Sequence, residues 1–203
     1  MPAERRTRLS PEERRKQLIA LGVQALADRP LEEITIESLA ADAGVSRGLV
    51  FYYFSSKTGL HHDIVAAARD SLMRATEPRP ELAPEARLHD TLDRFVTYAR
   101  EHRSTFYSLV RGAASGDADV REIVDEVRGA QAERLAVMFD ELGIRKSPRL
   151  TVALRSWVAL AEQALVDGAM HDGIDREELL AFLEGSCLAV VRLSGESAPA
   201  RLM

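Results

Sequence analysis

A single cysteine, Cys187, in 203 residues leaves no intrachain disulfide framework and no cysteine-rich zinc site to build. No apolar run approaches the roughly 20 residues that a membrane-spanning helix requires. The opening stretch, MPAERRTRLSPEERRK, lacks the apolar centre of a secretory signal. Secretion and membrane insertion are therefore not expected, and a reducing, cytoplasmic location is. Alternating β patterns, internal repeats and low-complexity tracts are also missing. His61-His62-Asp63 stands alone, with neither HExxH nor a cysteine pair, and adjacent histidines on a helix point about 100° apart. No metal and no cofactor are expected. Gly112 to Asp117, GAASGD, lacks the lysine and the strand of a phosphate loop and reads as an interhelical connection. No spacing aligns a catalytic triad, and Cys187 lies in an apolar run that suits packing rather than reactivity.

Aromatic residues are scarce too, with Phe 6, Tyr 4 and Trp 1, yet four of these eleven form the tetrapeptide Phe51-Tyr52-Tyr53-Phe54. On a helix, four consecutive side chains cannot share one core face. Val50 and Phe54 fall together, flanked by Phe51 and Tyr53, while Gly48, Leu49 and Tyr52 project the opposite way. Some of this cluster must face something other than its own core.

The formal net charge of -5 is unevenly spread. Residues 1 to 60 carry nine Lys/Arg against eight Asp/Glu, and residues 61 to 203 carry eighteen against twenty-four. The basic excess sits at the extreme N-terminus, six against three in the first sixteen residues. That asymmetry permits a nucleic-acid partner for the N-terminal part.

Helix starts are legible. Ser10-Pro11-Glu12-Glu13 is a capping box with proline at the first helical position, and the helix runs to about Asp28 before Arg29-Pro30. Thr35 opens a short helix with Ile36, Leu39, Ala40 and Ala43 on one stripe; Gly44 stops it, and Ser46 caps the next. Two short helices about a glycine turn make a helix-turn-helix. A third start near Lys57 leads a helix to about residue 75. EPRPELAP, residues 77 to 84, breaks the chain. Helical patterns follow over Leu88 to Ala99, Thr105 to Ala113, Val120 to Leu142, Leu150 to Met170 and Glu178 to Leu193. The expected fold is all-α: a three-helix head, residues 1–56, then a larger helical body, residues 57–203, with the helix from about 57 to 75 joining them.

An exposed helix start carrying Arg47, side-chain-free Gly48 and apolar Leu49 suits a DNA major groove. Arginine can donate two hydrogen bonds to guanine, and apolar atoms can meet a thymine methyl. Tyr52, Tyr53 and Lys57 can reach phosphates. TIESLAADAGVSRGLVFYYFSSK, residues 35 to 57, resembles the DNA-binding signature of the TetR family of bacterial one-component transcriptional regulators. The shared elements are Thr35, Ala40, Ala43-Gly44-Val45-Ser46, Arg47-Gly48, Tyr53-Phe54, and Lys57 followed by Leu60. The family usually has tyrosine where Phe51 stands, and several relatives have a phosphate-friendly residue where Glu37 stands. The resemblance implies DNA contacts from Thr35, Ser46, Arg47, Gly48, Leu49, Phe51, Tyr52, Tyr53 and Lys57. It also implies a homodimer on palindromic double-stranded DNA, released as a repressor by a small-molecule effector bound in the body.

For a largely apolar effector pocket the candidate residues are Phe95, Tyr98, Phe106, Tyr107, Val110, Met138 and Trp157, which could equally fill a core. Arg94, His102, Arg111 and Glu162 could orient a polar group, or be paired at the surface. The wide apolar stripes of the last two helices suggest a dimer interface of Leu154, Val158, Ala161, Leu165, Leu180, Leu183, Cys187, Leu188 and Val191. Full burial of a central helix would give the same pattern. The alternatives from other classes are an all-helical enzyme and a helical adaptor that binds only proteins. Sequence-specific DNA binding abolished by changes at Tyr52 or Lys57 would exclude both.

Overall fold

The computed structural model of the protein describes residues 9–112, 118–170 and 174–195. Arg5, Arg6 and Arg8 of the basic N-terminus, the 113–117 segment and the Arg111 side chain lie outside the described residues. Among these residues there are nine α-helices and no strand: α1 Pro11–Ala25, α2 Ile36–Ala43, α3 Arg47–Phe54, α4 Lys57–Ala75, α5 Pro84–Glu101, α6 Arg103–Gly112, α7 Ala118–Glu141, α8 Pro148–Met170 and α9 Arg176–Leu193. A 3₁₀ turn, Leu31–Glu33, leads into α2.

Capping chemistry sets the starts. Ser10 accepts from the Glu13 amide while the Glu13 carboxylate accepts from the Ser10 amide, and Asp175 and Glu178 do the same for α9. Thr35 and Ser38 exchange equivalent bonds at α2. Each satisfies amides that the first helical turn leaves unpaired. The first helix ends at Ala25, a turn earlier than the expected Asp28, with Leu26 as its cap.

Leu18, Leu26, Ile34, Leu39, Val50, Leu60 and Ile64 are essentially inaccessible and make the centre of the head. Leu60 and Ile64 belong to α4, so that helix completes the head as well as packing on α7 of the body. His61, also buried on α4, donates from Nε2 to the Ile34 carbonyl at 2.8 Å. The α1 and α4 backbones approach closely because Gly22 has no side chain; a Cβ there would lie 2.5 Å from Ile64 Cδ1. Helices α5 to α9 enclose a second apolar region built on Phe106, Phe139, Leu150, Leu154 and Leu183.

Candidate DNA-binding head and ligand cavity

The turn between α2 and α3 is closed by Gly44 at φ 63°, ψ 36°, a left-handed conformation that glycine adopts without a Cβ penalty. The Gly44 and Val45 amides donate back to α2 carbonyls, and Ser46 Oγ accepts from the Leu49 amide. Helix α3 is thereby fixed against α2. Val50 and Phe54 turn inward, and Arg15 of α1 stands 5.7 Å from the Phe54 ring centre. Tyr52 is 75% exposed and Phe51 55%, with the Tyr52 and Tyr53 rings edge to face at 5.2 Å. At Gly48 a Cβ would meet nothing nearer than Ser46 Oγ at 4.0 Å. Nothing within the protein demands a glycine there, although one inside a helix costs roughly 0.5–1 kcal/mol.

The polar groups of this face are partly engaged. Arg47 Nε lies 2.7 Å from Glu37 Oε1, linking the two helices of the motif. Lys57 Nζ donates to the Glu32 carbonyl at 2.6 Å, and Thr35 serves as the α2 cap. Both Arg47 and Glu37 remain well exposed, so their pairing contributes little to stability. Missing from the sequence reading was Gly59. Its Cβ would lie 2.5 Å from the carbonyl oxygen of Phe54, which directly precedes Ser55, the one non-glycine residue with positive φ among the described residues.

In the body, Phe95, Phe106, Val110, Met138 and Trp157 line one cavity of about 70 Å³, together with Arg69 and Leu72 of α4. Tyr98 and Tyr107, expected there, do not line it. Tyr98 is buried against the His102 ring at 4.5 Å, and Tyr107 is partly exposed. The reason is helical rotation: Tyr107 is turned about 100° from Phe106, and Tyr98 about 60° from Phe95. Trp157 Nε1 donates to Ser186 Oγ at 2.9 Å, which fixes the indole between α8 and α9.

Glu162, also on the wall, accepts from Arg128 Nε and Nη2 at 2.8 and 2.7 Å. Burial pushes the Glu162 carboxyl above its ordinary range, and the hydrogen bond from Arg128 pulls the other way. Arg94 is held by Asp90 and by the Ala75 and Glu77 carbonyls, so it clamps the proline-rich connection rather than facing a ligand. The His102 ring is occupied by its contact with Tyr98.

The residues expected at a dimer interface lie mostly inside the single protomer. Leu154, Val158, Ala161, Leu165, Leu180, Leu183, Cys187 and Val191 are all buried within one protomer, and Leu188 is half-buried. Val158, Ala161, Leu165 and Leu183 line the cavity itself. Burial pushes the Cys187 thiol far up, consistent with packing. The apolar residues left outside are Val152 and Leu160 on α8 and Phe182 and Leu193 on α9.

No described helix is long and apolar enough to cross a membrane. Residues 18–69 match the model for bacterial regulatory proteins of the tetR family, and residues 84–190 match the tetracyclin repressor-like C-terminal domain. The HTH-type transcriptional repressor KstR2 of Rhodococcus jostii (strain RHA1) is 25% identical over 179 residues, 88% of this chain and 78% of that protein. A tetR-family transcriptional regulator from Streptomyces coelicolor superposes with a TM-score of 0.74 at 28% identity, covering 92% of this chain and 90% of that one. The multidrug binding protein EbrR, complexed with imidazole, shares the fold at 19% identity and a TM-score of 0.65, over 93% and 97% of the two chains. With its head and body each matched and its helices in the same arrangement, the chain belongs to the TetR family of DNA-binding transcriptional regulators, which are not enzymes.

Proposed function

We propose that the protein is a homodimeric repressor that binds a palindromic operator and leaves it when a small molecule occupies the body cavity. The observation that carries this reading is the position of α4. Its first half completes the head core through Leu60 and Ile64, and its second half supplies Arg69 and Leu72 to the cavity wall. An occupant that binds better to one tilt of α4 shifts the spacing of two heads, and only such differential affinity can do so. The names of two similar proteins support the two halves of the reading, KstR2 as a repressor and EbrR as a protein that binds small molecules. The head, residues 1–56, and the body, residues 57–203, then divide the work, with α4 shared.

Within the head, Arg47, Gly48 and Leu49 are assigned to base edges, and Thr35, Ser46, Tyr52, Tyr53 and Lys57 to the backbone, with the exposed Phe51 ring against sugar or a thymine methyl. The unexplained helical glycine at 48 supports close approach of a groove. Glu37 pairs with the Arg47 guanidinium across the motif, a contact that DNA would have to displace or share.

The test is selection of genomic fragments by the purified protein at near-physiological salt, followed by affinity measurement on the recovered sequence. A palindrome should emerge. Lys57→Ala should weaken binding at every sequence and lower the salt slope by about one per head. Arg47→Ala should instead relax base preference in each half-site by about 1–3 kcal/mol. Uniform loss of affinity from both substitutions would overturn the division of roles. For the cavity, Val110→Trp should leave operator binding intact and make it unresponsive to effector in a titration. An unchanged response would remove this cavity from the mechanism.

A further inference from the structure

Charge on the cavity wall is not balanced. Arg69 pairs with Asp70 and Glu126, and Glu162 is matched by Arg128 through two hydrogen bonds. Arg134, on the same wall, has no carboxylate within ion-pair distance among the described residues. Its guanidinium donates only to the Met73 and Thr76 carbonyls, at 3.3 to 3.4 Å, the long end of hydrogen bonding. Burial lowers it from its ordinary value, Arg94 adds to that lowering, and Glu77 opposes it through space. The partial negative charge of the α4 terminus takes up roughly half a unit of its charge.

A second group points the same way. Thr91 lines the cavity at 6% exposure, and its hydroxyl has no hydrogen-bond partner. Such groups are ordinarily satisfied, and leaving one buried costs about 1–3 kcal/mol. Gln131, also on the wall, donates to Thr76 Oγ1 and Met73 Sδ. Arg94, one turn beyond Thr91 on α5, reaches the Ala75 and Glu77 carbonyls. Gln131 and Arg134 therefore gather about the last turn of α4, Thr91 lines the same cavity from α5, and the remaining lining is almost wholly apolar.

Resting on the reading of this cavity as the effector site, we propose that its occupant is a small amphiphilic monoanion, an apolar body ending in one carboxylate that Arg134 balances and the Thr91 hydroxyl hydrogen-bonds. One cation without a carboxylate partner matches one negative charge. A cationic ligand finds no unmatched carboxylate, since Glu162 is already held by Arg128. A neutral ligand leaves Arg134 as it is. The open volume of about 70 Å³, room for only a few waters, limits the occupant to a small body.

Octanoate, 1-octanol and octylamine share one body and differ in charge, so calorimetric titration of the full-length protein with each isolates the headgroup. Octanoate should bind at least about tenfold tighter than octanol, the scale of one charge-assisted hydrogen bond, and octylamine weakest. In Arg134→Gln the octanoate preference should fall to about threefold or less, while Arg134→Lys retains most of it and Thr91→Val loses part. This ratio is insensitive to general loosening of the body. Octanol or octylamine binding as tightly as octanoate in the parent, or a ratio unchanged by Arg134→Gln, overturns the anion and leaves the effector cavity standing. Failure of all three to bind the parent overturns the inference and the cavity reading together, and loss of binding in Val110→Trp confirms the location.

Discussion

Gly59→Ala is expected to abolish operator binding while the body stays folded. The position lies in the first turn of α4, where alanine normally gains about 1 kcal/mol of helix propensity over glycine. Here the new Cβ would stand 2.5 Å from the Phe54 carbonyl oxygen, a backbone atom that cannot swing aside. That oxygen also accepts from the Ser56 amide at 2.7 Å, across a junction where Ser55 already holds a left-handed conformation. Overpacking of this kind costs about 1–3 kcal/mol, so the clash outweighs the propensity gain. Relief requires the C-terminus of α3 to move away from α4, and α3 carries Arg47, Gly48 and Leu49. Both heads of a dimer would carry the shift, so affinity for the selected operator should fall at least about hundredfold, two half-site losses of 1.4 kcal/mol each. The melting temperature should drop by about 2–4 °C per kcal/mol lost. Anisotropy titration checks the first and calorimetry the second. Operator affinity within about twofold of the parent would show that the α3–α4 junction does not control the recognition helix.

The head was far more legible in the sequence than the body, for a physical reason. Ser10, Thr35, Gly44 and Ser46 act on amides and carbonyls within a few residues of themselves, so residue type and spacing suffice to place them. The inward turn of Val50 and Phe54 and the exposure of Tyr52 follow from one helix wheel. Gly59 escaped because its role depends on how α4 folds back against the end of α3, which no local pattern encodes. Arg134 escaped because a lone arginine on a charged helix carries no pattern at all; only the absence of a facing carboxylate singles it out. For the cavity, Phe106 and Tyr107 are equally aromatic neighbours, and the rotation of α6 about its axis decides which of them lines it.

The dimer interface is where periodicity leaves most undecided, and it gives the other large expected effect. A stripe wider than one face shows that α8 and α9 are apolar on two sides, but not which side meets the protomer's own core. The structure turns Leu154, Leu183 and Cys187 inward, fully buried, and leaves Val152 66%, Phe182 52% and Leu193 85% exposed. On α9 the outward stripe continues through Ala181, Gly185 and Ala189, small residues that let another helix approach closely. A two-fold axis brings the same patch of each copy against the other, so Phe182→Glu places like charges in a desolvated contact from both sides at once. The variant should be a folded monomer in sedimentation, because Phe182 contributes little to its own protomer's core. Each head then binds its half-site alone, and losing the tethered second contact should weaken binding to the full palindrome by about 10²–10⁴. Leu154→Ala separates the two faces: it should cost about 2–5 kcal/mol of stability through a cavity inside the protomer, with the dimer persisting wherever the protein is folded. A Phe182→Glu protein that sediments as a dimer, or binds the palindrome as tightly as the parent, would place the interface elsewhere. Dissociation caused by Leu154→Ala at temperatures where the protomer remains folded would return it to the inner stripe.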